Sequence, residues 1–324
     1  GYIMEEYKYL VPEESMDVMM DVSSLREIEN HLREVFQSHK YLEVLMPSFE
    51  YVDLYSDMDI GIEAENMFQY INYEGKRVAL RADFTVPLAR LYSTQNEKGV
   101  KKYCYFGNVF RKEKKHKGRN SEFFQAGVEL IGEGGFDGDN ECLRIIQETL
   151  QHLKLKDIKI ELSSAKFYNR ICELVNDDSF VKILKKRDIS GMERLVEKNS
   201  ALLPLKDLLI KLPECFGDID MLNKMIEIIK DKELKDCLLE LKELYENLEM
   251  KECFSFDLAM TPSMKYYTGI MIKGYTLNSA KPIINGGRYD KLMNHFSKDI
   301  PAIGFSYDLS HIVGALEKEE EIND

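Results

Sequence analysis

Glu122-Phe123-Phe124-Gln125-Ala126-Gly127-Val128-Glu129 is the most informative stretch of this sequence. Gln125, Gly127 and Glu129 stand two apart among apolar neighbours, and side chains alternate across a strand, so these three share one face. The glycine leaves that face bare between two polar groups, which opens space for a small ligand with polar groups on both sides. The wet face of a one-sided antiparallel strand would carry the same alternation. Upstream, Lys101 to Arg111 also has strand length, and Lys101–Arg111 and Glu122–Gly132 read as an antiparallel hairpin with a long loop. The stretch between, Lys112 to Arg119, holds five Lys or Arg plus His116 against a single Glu. Such a run is ordinarily a solvated loop; here it sits beside the polar face.

Working outward, Ser24-Leu25-Arg26-Glu27 has the form of a capping box, followed by Leu25, Ile28, Leu32, Val35 and Phe36 at helical spacing. Tyr41 to Met46 reads as a strand ending at Pro47, which cannot donate to a ladder. Arg77 to Arg81 reads as another strand, and Cys142 to Leu153 as an amphipathic helix. Ile158 to Leu162 alternates like a strand. From Lys166 to Met250 only Gly191 and Gly217 interrupt helical periodicity, so 166–250 is expected to be a helical insertion. It divides a core of 1–165 and 251–324. Strands resume at Cys253–Met260 and Tyr267–Tyr275, and the end, from Ile303, reads as a strand running into a helix. Strands interrupted by a helical block, without regular βαβ alternation, give α+β as the class.

Of the 324 residues, 44% are hydrophobic, and the formal net charge is −13. The length supports a large core and one to three domains. No apolar run reaches the ~18 residues of a membrane span, and the acidic start, Gly1 to Val22, lacks the apolar centre of a secretory signal. The six cysteines form no CxxC pair. A metal site is therefore not expected, and reduced core thiols in a cytoplasmic protein are. The negative charge repels polyanions such as tRNA.

Three stretches together resemble the three motifs of class II aminoacyl-tRNA synthetases. The helix before Tyr41-Leu42-Glu43-Val44-Leu45-Met46-Pro47 looks like motif 1, the dimer-forming element. Phe110-Arg111-Lys112-Glu113, the basic loop and Phe123-Phe124-Gln125 look like motif 2, and Gly304-Phe305-Ser306 with its helix like motif 3. Gly118-Arg119 through Glu129, Tyr266-Tyr267-Thr268-Gly269 and Gly286-Gly287-Arg288-Tyr289-Asp290 narrow the resemblance to the histidyl enzymes, over roughly residues 5 to 315. It implies an antiparallel sheet flanked by helices. It also implies that Glu129 and Tyr267, with Tyr266 beside it, hold an imidazole. Asp83, Thr85 and Gln125 would hold the amino-acid end, and Arg111 and Arg119 would grip an anion. Position 83 usually carries Glu in those enzymes; Asp is one methylene shorter, so an ammonium contact there can run through water. Taken without the resemblance, Asp83 and Thr85, just before Pro87, would also suit a helix cap, and the tyrosines would suit packing.

Two departures matter. The arginine that contacts the carboxylate and phosphate in the histidyl enzymes is replaced in Pro262-Ser263-Met264-Lys265-Tyr266-Tyr267 by Pro262. Lys265, three residues on along an expected strand, would point to the opposite face. The motif 3 arginine is replaced by His311, and a histidine is mostly neutral at pH 7 and lacks the bidentate fork. Losing one preorganised charge-stabilising donor costs on the order of 10²–10³ in rate, so two losses leave little adenylate chemistry even when they are not additive. The histidyl enzymes also continue into an anticodon-binding domain, whereas here an acidic tail, Glu317 to Asp324, follows. All of this resembles the regulatory subunits of ATP phosphoribosyltransferase. That family implies a non-catalytic chain without cofactor or tRNA, and a motif 1 homodimer within a hetero-octamer. It would be required by a short catalytic subunit and carry feedback inhibition by L-histidine. A truncated synthetase paralogue that activates histidine, and a free-standing histidine sensor, are the alternatives.

Overall fold

The computed structural model describes residues 6–16, 18–56, 62–112, 121–279, 281–296 and 298–323. Its strands are β1 (Leu42–Glu43), β2 (Phe49–Tyr51), β3 (Gln69–Ile71), β4 (Arg77–Leu80), β5 (Lys101–Phe110), β6 (Glu122–Ile131) and β7 (Lys159–Ser164). They continue with β8 (Phe216–Gly217), β9 (Phe254–Asp257), β10 (Ile270–Tyr275), β11 (Ile284–Arg288) and β12 (Ala302–Asp308). The helices that position them include α1 (Ser23–Ser38), α2 (Val52–Ser56), α3 (Thr85–Thr94) and α4 (Gly135–Leu150).

Nine strands form one sheet in the order β1-β5-β6-β12-β11-β10-β7-β9-β8, and β2-β4-β3 form a small second sheet. The six central strands, β5 to β7 in that order, pair antiparallel, as the class II resemblance implies. The flanks differ, because β1 on β5 and β9 on β7 are parallel pairs, which makes the sheet mixed. Each parallel pair needs a long crossover. The second crossover is the helical block: α5 (Ala165–Val175), α6 (Ser179–Lys185), α7 (Ile189–Lys198), α8 (Lys206–Lys211), α9 (Ile219–Ile228) and α10 (Lys232–Glu246). This block is not purely helical, since β8 joins the end of the main sheet beside β9. The chain closes with α11 (Asp290–Asn294) and α12 (Leu309–Asn323).

The strand period divides the molecule. On β6, Ala126, Val128 and Leu130 enter one continuous apolar cluster with Leu25, Ile28, Leu32 and Phe36 of α1, Ile145 and Ile146 of α4, and Leu234, Leu238 and Leu241 of α10. The opposite face carries a second cluster, with Tyr105, Phe123, Tyr266, Tyr267 and Tyr289. Helices thus cover one face of the sheet and a tyrosine-rich hollow occupies the other.

Several elements differ from their sequence reading. Ser24 lies inside α1 and makes no capping box; the first backbone N–H of the helix, at Ser23, donates to Asp21 Oδ1 at 3.1 Å. The strand expected over Tyr41–Met46 is confined to Leu42–Glu43, because Arg81 Nη1 takes the Met46 and Pro47 carbonyls, at 3.0 and 3.3 Å, away from any ladder. The strand expected from Tyr267 begins at Ile270, since Tyr267 N and Thr268 N donate to Met264 O and Arg288 O. Lys265 is accordingly an exposed turn residue, and an argument from strand faces does not apply to it.

Candidate functional site

Asp83, Thr85, Arg111, Gln125, Glu129, Tyr266 and Tyr267 all line one cavity of about 190 Å³ on the tyrosine-rich face. Arg119 and residues 113–120 of the basic loop lie outside the described residues. Gln125 and Glu129 reach the cavity from β6, as the alternation requires. The room above Gly127 is not left for a ligand, however. Tyr105, its ladder partner on β5, lays its hydroxyl there, and a Cβ at Gly127 would collide with it. The glycine therefore admits a tyrosine.

Glu129 is 1% exposed. Its Oε1 accepts the Thr85 hydroxyl at 2.7 Å, and its Oε2 accepts the Tyr289 hydroxyl. Gly304 stands opposite Glu129 on β12, and a Cβ there would strike the carboxylate. Burial pushes the Glu129 carboxyl up to about 8, against the pull of the hydroxyls around it. Thr85 is thus engaged with Glu129 inside the pocket.

Asp83 serves both readings at once. Its Oδ1 accepts the Val86 N–H at 3.3 Å, in the first turn of α3, while its Oδ2 accepts the Tyr266 hydroxyl at 3.3 Å. Burial raises its carboxyl to about 6, and the nearby Arg111 guanidinium opposes that rise. Tyr266 packs edge-on to both Tyr267 and Tyr289, at 5.1 and 5.8 Å between centroids, which fixes the aromatic wall.

Phe123, Lys281, Asn285, Ser306, Asp308 and His311 also line the cavity, beside Arg111. Lys281 Nζ lies 5.5 Å from the centre of the Phe123 ring. His311 lies in the first turn of α12; its N–H donates to Asp308 Oδ1 at 3.0 Å and its Nδ1 lies 2.7 Å from Asp308 Oδ2. The imidazole thus stands beside a carboxylate, without a hydrogen bond to it, where the synthetases carry an arginine. Arg288, from the glycine-rich segment on β11, does not reach the cavity. It is buried behind it, bound to Asp139 at 2.7 Å, Asp290 at 2.9 Å and the Glu133 carbonyl at 3.2 Å.

Sequence reasoning missed Tyr105, Tyr289 and Lys281 as lining residues. Tyr289 stood inside a recognised segment without a role. A glycine flanked by polar residues on the facing strand was the signal for Tyr105. No comparable signal pointed to Lys281.

The fold and the pocket define a histidyl-tRNA-synthetase-like protein. The family model for histidyl-tRNA synthetase matches residues 18–312. A solved structure from Bacillus halodurans C, described as an ATP phosphoribosyltransferase regulatory subunit/histidyl-tRNA synthetase, superposes with a TM-score of 0.84. It is 25% identical, over 96% of this chain and 84% of that one. A histidyl-tRNA synthetase structure from Nostoc sp. PCC 7120, at 19% identity and a TM-score of 0.75, shares the fold; 96% of this chain and 76% of that one are covered. The ATP phosphoribosyltransferase regulatory subunit of Lactococcus lactis subsp. cremoris (strain MG1363) is 42% identical over 98% of this chain and 100% of its own length. That of Ruminiclostridium cellulolyticum is 33% identical over 97% and 78%. This chain belongs to the family of ATP phosphoribosyltransferase regulatory subunits.

Proposed function

We propose that this chain is the non-catalytic partner of a short ATP phosphoribosyltransferase subunit in the first step of histidine biosynthesis, and that its cavity takes L-histidine as the feedback signal. The observation that carries the reading is the convergence of seven expected side chains on one small cavity. Glu129 and Tyr267 face the imidazole, Asp83, Thr85 and Gln125 the ammonium end, and Arg111 the carboxylate. Family membership supports the partnership, because the relatives bear the name of a regulatory subunit. Pro262 and His311 support the absence of adenylate chemistry, since neither offers a bidentate cation to a phosphate.

The reading extends to a motif 1 homodimer within a hetero-octamer, in the cytoplasm. Leu42, Phe49 and Tyr51 are exposed and Leu45 is 90% exposed, which suits an interface. It also divides the chain into a core, 1–165 with 251–324, and an insertion, 166–250. No tRNA and no cofactor are part of it.

Affinity-tagged chain, mixed with a short catalytic subunit from a species carrying both, tests the partnership by co-purification. Calorimetry with L-histidine tests the pocket, and histidine-dependent ATP–pyrophosphate exchange tests the enzyme alternative. The expected results are a stable complex, saturable histidine binding and no exchange. Exchange at ~1–10³ s⁻¹, ordinary for enzymes, would establish an activating enzyme instead.

A further inference from the structure

Among the described residues, the pocket holds two buried carboxylates, Glu129 and Asp83, and one guanidinium close to them, Arg111. Arg111 is the strongest charge acting on Asp83 and is not among the main influences on Glu129. Glu129 has no ion pair with any described residue; its hydrogen-bond partners among them are the hydroxyls of Thr85 and Tyr289, with the Tyr105 phenol nearby. The other titratable groups around it are Asp83, Tyr266 and Tyr267 on the pocket side, and Tyr41 and Cys142 on the helix side. A carboxylate offers about four acceptor positions, so the Thr85 and Tyr289 hydroxyls leave capacity for a ligand in the cavity that Glu129 lines. Neutral donors compensate the loss of water less well than a cation does, and a carboxylate buried in this way favours its neutral form.

We infer that the proton in the hydrogen bond between Glu129 and a bound imidazole is already on Glu129 in the empty pocket, so that histidine enters near neutral pH without drawing a proton from solvent. This rests on the reading of the cavity as a histidine site. The proton sits on a Glu129 oxygen in the free chain and moves along the new bond toward the ring nitrogen in the complex. The pair holds one proton before and after. The upward push on Glu129, to about 8, agrees with this. The consequence is regulatory: binding is insensitive to pH near 7 and weakens above about 8, where the empty pocket has lost the proton that the complex needs.

The test is titration of L-histidine into the full chain in buffers of different ionisation enthalpy, which counts the protons exchanged, at about pH 7 and pH 9. Wild type is expected to exchange close to none at pH 7. At pH 9 it is expected to take up about one proton more than Glu129→Gln, in which the ligand's own amine titrates but position 129 does not. Its affinity then falls roughly tenfold per pH unit above 8 relative to the variant. Uptake of about one proton already at pH 7, or equal uptake by both proteins at pH 9, would overturn the inference while leaving the histidine site standing. Absence of binding at both pH values would overturn the histidine reading and this inference with it. If Glu129→Gln does not fold, Tyr289→Phe takes its place. Removing one donor to the carboxylate should move the onset of proton uptake to higher pH, and an unchanged onset counts against the inference.

Discussion

Glu129 is the residue on which the pocket turns, and its burial has a thermodynamic consequence for the free chain. The folded carboxyl titrates at about 8, against 4.5 for the ordinary group. Between those values the folded chain keeps a proton that the unfolded chain has lost. The stability attached to this group is therefore fully present below about pH 4.5 and is lost as pH rises through 8, at about 1.4 kcal/mol per pH unit. Asp83 adds the same slope between 3.8 and about 6. Glu129→Gln should remove the first of these slopes, so that its urea midpoint changes less between about pH 6 and 8 than that of the wild type. Equal changes would mean that Glu129 is ionised and solvated in the folded state. At this scale the sequence was informative where a strand period fixed the geometry: Gln125 and Glu129 stand where alternation on β6 places them. It marked the gap at Gly127 but not its occupant, because the Tyr105 hydroxyl reaches that gap from the facing strand.

At the scale of elements, Arg288 fastens β11 to the start of α4 through Asp139 and to the start of α11 through Asp290. Burial pushes Asp139 up to about 6, with Arg288 the main force opposing it. Arg288→Leu leaves the mostly buried Asp139 carboxylate without its cation, and breaking a buried pair from one side costs about 3–5 kcal/mol. The denaturation midpoint should fall accordingly; a loss under about 1 kcal/mol would place the Asp139 carboxylate in contact with water. The β5–β6 hairpin was readable because both strands are long and alternate. The start of α1 and the ends of β1 and β10 were not, because each is set by a contact that sequence spacing does not encode. Asp21 receives the first helical N–H, Arg81 takes two carbonyls, and the Arg288 carbonyl receives the Thr268 N–H. The parallel flanks of the sheet were hidden for a related reason, since strand order depends on where the crossovers return.

At the scale of the molecule, a net charge of −13 and a rim of exposed apolar residues around Leu45 describe a chain suited to protein partners. Leu45→Glu puts a charge into the proposed dimer contact and should halve the mass measured by light scattering while leaving the circular dichroism unchanged. An unaltered mass would move the contact to another surface. The most direct measurement of the proposed role is phosphoribosyl-ATP formation by a short catalytic subunit, titrated with this chain, in the presence and absence of L-histidine. Turnover should rise with added chain until the partner is saturated, histidine should then suppress it, and Glu129→Gln should blunt that suppression. Turnover that does not respond to the chain at any ratio would contradict the regulatory role.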